Sequence, residues 1–152
     1  MPSLTITSQP KFGKVIDVEV PTHVAGTLDF KNGAIGTIIT SFDVWKHSLP
    51  CIEIHGTEGS LRVPEPNGFG GKVEIFRPDN SGWEEVEYTH DYSVNTRSLG
   101  VADMAHAIRS GRPHRASGAL AYHVLDIMHA IHDASSSDRF VRLTSQIDRP
   151  AP

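Results

Sequence analysis

A chain of 152 residues with a formal net charge of −4 is the size of one domain, expected to bury roughly two-thirds of its unfolded surface. Its lysines and arginines are scattered singly, which argues against a nucleic-acid partner. Its one cysteine, Cys51, permits neither an intramolecular disulfide nor a cysteine-built zinc cage. No apolar run reaches the length of a membrane span, and the first seven residues lack the regions of a secretory signal. The expectation is a soluble, cytoplasmic domain.

The hydrophobic period divides the chain. From about Val15 to Tyr88 it is mostly two residues, and from about Ser98 to Ser136 it is helical. The first predicted strand covers Val15 to Phe30, with Val18, Val20, Val24, Leu28 and Phe30 on one face and Glu19, His23 and Asp29 on the other. Asn32-Gly33 predicts a hairpin turn, because both residues tolerate positive φ. The return strand runs from about Ala34 to Trp45. Apolar residues occupy both of its faces: Ala34, Ile38, Phe42 and Val44 on one, and Ile35, Ile39 and Trp45 on the other. Such a strand needs cover on its second side, so Ile35, Ile39 and Trp45 are the candidate oligomer interface.

A further hairpin pairs Ile52–His55 with Ser60–Val63 across Gly56-Thr57-Glu58-Gly59. Pro64 to Gly71 is a loop by composition. Lys72–Arg77 and Trp83–Tyr88 form the last hairpin. A polar loop, Thr89 to Arg97, leads to a helix over about Ser98–Ser110, whose stripe is Val101, Met104, Ala105 and Ile108. Gly111 and Pro113 stop it. Ser117 caps a second helix reaching about Ser135, with Leu120, Val124, Ile127, Met128 and Ile131 as its predicted buried face. Phe140–Leu143 reads as one more short strand, and Arg149–Pro152 as a frayed tail. The predicted fold is α+β: an open-faced, mostly antiparallel sheet with helices packed on one face, in a single domain spanning 1–152.

Chemistry is harder to place. Asp126, His129, His132 and Asp133 have the spacing of neighbouring helical turns. A solvated polar face accounts for them equally, no His-Glu-x-x-His pattern is present, and no metal is assigned. Asp43 and His47 fall on or just past a strand, where residues four apart are roughly 13 Å from each other and form no dyad. Arg97 suits a carboxylate or phosphate, because its donors form a fork. No glycine-rich dinucleotide fingerprint follows a strand and opens a helix, and no nucleophile elbow is present.

Several stretches together resemble the Gfo/Idh/MocA family, named for glucose–fructose oxidoreductase, inositol dehydrogenase and a rhizopine-catabolism protein. Gly100–Pro113 is similar to its helix-plus-glycine element, and His123–Ile131 to its final long helix. Phe30–Thr37 (Phe-Lys-Asn-Gly-Ala-Ile-Gly-Thr) resembles one hairpin. Ile52–Leu61 (Ile-Glu-Ile-His-Gly-Thr-Glu-Gly-Ser-Leu) resembles another, the most specific of the four. The likeness runs from about Val15 to Pro150.

That resemblance implies the carboxy-terminal α+β domain of an NAD(P)-dependent sugar or polyol oxidoreductase, which shapes the substrate pocket and carries the oligomer interface. In the family, a Rossmann domain holds NAD or NADP. The family's Glu-Lys-Pro lysine and glycine-rich Asp-x-x-x-His helix would precede Met1, so no catalytic or cofactor-binding residue is carried onto this chain. Alone it is expected to be inactive and to bind no cofactor, as a fragment or a separately encoded half of a dehydrogenase. The substrate-side candidates are Arg97 and His123, which lie near helix starts. The expected partners are a Rossmann domain and further copies of the chain. A standalone protein-binding module using the open sheet face is the alternative, and a small metalloenzyme built on the histidines a third.

Overall fold

The computed structural model describes residues 3–5, 12–94 and 97–151. It divides into two units, Met1–Ser48 and Leu49–Pro152. The arrangement is α+β, with every strand pair antiparallel.

In the first unit, β1 (Ser3–Thr5) pairs with β2 (Val15–Asp17), and β3 (His23–Asp29) pairs with β4 (Ile35–Ser41). The expected single strand from Val15 to Phe30 is therefore two strands. Pro21 interrupts the run: it has no N–H to give a ladder and pushes Val20 toward extended backbone. The hairpin turn also differs from expectation. Gly33 N–H donates to Phe30 O at 2.9 Å, Phe30 N–H donates to Ala34 O at 2.9 Å, and Gly33 has φ 87°. Only the glycine takes a positive φ. The connection is a three-residue loop closed by a left-handed glycine.

β4 ends at Ser41 rather than Trp45. Its last ladder bond, Phe42 N–H to Thr22 O at 2.8 Å, falls where β3 gives way to Pro21. The Ser41 hydroxyl then accepts the Asp43 N–H at 3.1 Å and turns the chain. Phe42, Val44 and Trp45 consequently lie beyond the strand and share no strand face with Ile35 and Ile39.

In the second unit, β5 (Ile52–Gly56), β6 (Gly59–Val63), β7 (Val73–Phe76) and β8 (Glu84–Val86) form one sheet in chain order. Ile54 sits opposite Leu61, and Leu61 opposite Ile75. The alternation read from the sequence thus becomes one apolar face. The other face carries Glu53 beside Arg62 at 3.6 Å, with the Arg62 guanidinium 3.9 Å above the Trp83 ring. At Gly59 an added Cβ would lie 2.3 Å from the Phe76 carbonyl oxygen. Close approach of β7 requires glycine there.

The helices are α1 (Leu99–Ser110) and α2 (Gly118–Ser137). Gly111 closes α1 at φ 69°, and the Ser117 hydroxyl accepts the Leu120 N–H at 3.1 Å, as the caps in the sequence predict. Phe140–Leu143, expected as a strand, has no regular structure, because no neighbouring strand pairs with it.

Burial falls well short of expectation. Ala107 is the one buried apolar residue among those described. In the expected helical stripes Val101 is 70% exposed, Ile108 74% and Met128 58%. The stripes exist, but among the described residues of their own unit they are largely uncovered.

Candidate functional site

In the second unit, two segments bring polar side chains together. The first joins the loop 64–71 to residues 88–94 and to Arg97. Arg97 directs Nη2 to Asn67 Oδ1 at 2.8 Å and to the Asn67 carbonyl at 3.3 Å. The Tyr88 hydroxyl donates to the Gly71 carbonyl. An added Cβ at Gly70 would sit 2.3 Å from the Ser93 carbonyl oxygen, so the two segments touch backbone to backbone. Tyr88, His90 and Tyr92 stack in a row, with ring centroids 5.7 and 6.1 Å apart. Beside them lies a groove of about 210 Å³, walled by Pro64, Glu65, Phe69, Tyr88 and His90. That is below the usual range for drug-sized ligands and far too small for a dinucleotide.

The second segment belongs to α2. His123 Nδ1 lies 2.7 Å from Ser145 Oγ, and the Ser145 hydroxyl donates to Asp126 Oδ2 at 2.6 Å. The Ser145 N–H donates to the same oxygen at 3.0 Å. Because the hydroxyl proton goes to Asp126, the imidazole is the donor to Ser145. That leaves Nε2 as the acceptor of the neutral ring. The Ser145 hydroxyl and then its N–H hold the Asp126 carboxyl below its usual range, against the opposing effect of burial. An imidazole fixed through a hydroxyl to a carboxylate is oriented to accept a hydrogen bond, or a proton, at Nε2.

A third cluster is structural in character. Asp103 receives the Arg115 N–H at 2.9 Å and Arg112 Nη2 at 2.6 Å, and pairs as well with the Arg115 guanidinium. These donors, the Arg115 N–H foremost, pull its carboxyl down to about 2. The cluster fastens the turn between α1 and α2.

Of the sequence candidates, Arg97 and His123 are each held by a polar partner rather than free in solvent. Ile35 is 75% exposed, Ile39 52% and Trp45 103%. Asp43 is bonded by the Thr22 hydroxyl. Among the described residues no three metal-ligating side chains gather, and no helix is long and apolar enough to cross a membrane. Sequence reasoning missed Asn67, Ser145 and the two-arginine clasp on Asp103. Only local spacing such as that of Ser117 and Leu120 is visible in a sequence, whereas Asp126 and Ser145 are nineteen positions apart.

Comparison with known proteins gives one match: residues 3–62 fit the model of the GFO/IDH/MocA C-terminal domain. No curated protein and no solved structure matches the chain. The matched stretch contains the Phe30–Thr37 hairpin and the Ile52–Leu61 hairpin, whereas the two helical elements that also resemble the family lie beyond it. Over residues 3–62, the chain is similar to the GFO/IDH/MocA C-terminal domain.

Proposed function

We propose that this chain is the substrate-binding and oligomerisation domain of an NAD(P)-dependent sugar or polyol oxidoreductase, with the nicotinamide cofactor held by a separate Rossmann domain. The observation that carries the reading is the family match over residues 3–62. Two others support it. The sequence has no fingerprint for a pyrophosphate, which hydride transfer needs to be bound somewhere. The exposed Ile35, Ile39 and Trp45 supply apolar surface of the kind that copies of a chain cover in each other, through an interface of at least about 1,000 Å².

On the substrate side, Arg97 offers guanidinium donors beyond the Nη2 bound to Asn67, and His123 offers Nε2. Each suits a polyol hydroxyl, and hydrogen bonds to hydroxyls discriminate such substrates most sharply. The test joins the chain to a family Rossmann domain and measures polyol-dependent reduction of NAD and NADP. Activity above that of the Rossmann domain alone is expected, with Arg97→Ala and His123→Ala raising KM while the melting temperature holds. A fusion no more active than the Rossmann domain alone contradicts the reading.

A further inference from the structure

Where the chain leaves β8 it becomes aromatic and acidic. Tyr88, His90 and Tyr92 stack in a row, and Glu87 and Asp91 adjoin them in sequence. Glu84 pairs with Arg77 and Glu85 with Lys72, whereas neither Glu87 nor Asp91 has an ion-pair partner among the described residues. His90 Nδ1 accepts the Tyr92 N–H at 3.2 Å, so its ring carries its proton on Nε2 and is neutral. A row of uncharged aromatic rings presents electron-rich faces.

The groove of about 210 Å³ opens beside that row. Phe69, Tyr88 and His90 give it aromatic walls, and Glu65 is its single charged side chain. Glu65 Oε1 accepts the Asn67 N–H at 2.9 Å, and its second oxygen has no partner among the described residues. The Tyr88 hydroxyl is committed to the Gly71 carbonyl, so it offers the groove no proton. Arg97 reaches the same loop only through Asn67, which is not part of the wall. All of these groups belong to the second unit.

Ring faces and a lone carboxylate repel an anion and attract a cation. A polyol needs several placed donors and acceptors, and the wall supplies little beyond one carboxylate oxygen. The volume admits a head group rather than a larger ligand. Aromatic faces suit a cation whose charge is spread over methyl groups. We propose that the groove between the loop 64–71 and Tyr88–His90 binds a methylated ammonium group, with ring faces around it and Glu65 balancing its charge. The site does not depend on the domain's proposed enzymatic role or on any oligomer contact.

The test is an NMR titration of the whole chain with tetramethylammonium chloride at constant ionic strength. Saturable shifts are expected in the ring protons of Phe69, Tyr88 and His90, and ring currents should move the ligand methyl signal upfield. tert-Butanol, uncharged and similar in shape, should bind about tenfold more weakly. Glu65→Gln keeps an acceptor for the Asn67 N–H but removes the charge, and should weaken binding about tenfold. Tyr88→Phe keeps the ring face and should leave the affinity unchanged. The absence of saturable shifts overturns the inference. So does equal binding of tert-butanol, or undiminished binding in Glu65→Gln, since the groove is then merely apolar. Tighter binding of sorbitol than of tetramethylammonium would assign the groove to the polyol of the proposed function, and overturns it too.

Discussion

The β3–β4 hairpin and the β5–β8 sheet have similar alternating sequences but different surroundings. In β6 and β7 every residue is at least half-covered, while along β4 Ile35 and Ile39 remain largely exposed. Alternation determines which residues share a face. Neighbouring strands determine whether that face is covered, and a two-stranded ribbon is marginal by itself. Within its own unit, the hairpin therefore has the pattern of a core element without a core.

Glycine substitutions should break the comparison most sharply. Gly59→Ala forces a Cβ into the Phe76 carbonyl, and the β5–β8 sheet should lose about 2–4 kcal/mol in denaturant unfolding followed by Trp83 fluorescence. Gly36→Ala on the hairpin meets only the Phe30 ring at 3.0 Å. That ring can swing aside, so the cost there should stay below about 1 kcal/mol. Equal losses at the two sites would remove the distinction between a packed sheet and an open ribbon.

The helical part is fastened by polar pins, and its response to acid sharpens the contrast with the sheets. The Asp103 carboxyl is lowered from 3.8 to about 2, so the folded state favours its ionised form. Its contribution is fully present above the unfolded value and is lost as pH falls through about 2. Amide exchange in the α1–α2 turn should accelerate over that window, and Asp103→Asn should flatten the dependence. The smallest effect is expected at Trp45. Its ring is fully exposed, so Trp45→Ser should alter chain stability by no more than about 0.5 kcal/mol. The same variant should shift assembly toward monomer in sedimentation, and an unaltered assembly would remove Trp45 from the interface.

Local chemistry was legible in the sequence. The Ser117 cap, the Gly111 stop and the Gly56–Gly59 turn depend on residues within four positions of each other, and they stand where the spacing puts them. What depended on distant partners was not legible. The strand ending at Ser41 rather than Trp45 reflects Pro21 just ahead of the partner strand. Phe140–Leu143 has the composition of a strand, yet no described strand pairs with it. The substrate-side candidates illustrate the same limit: their spacing marked Arg97 and His123, but not Asn67 or Ser145, which fix their orientation.

The proposed division of labour between this chain and a Rossmann domain is tested most directly by calorimetric titration of the purified chain with NAD and with NADP. No binding heat is expected at micromolar to millimolar cofactor, since the sequence carries no glycine-rich dinucleotide fingerprint and the groove beside Tyr88 and His90 holds only about 210 Å³. Micromolar affinity for either nucleotide would contradict that division.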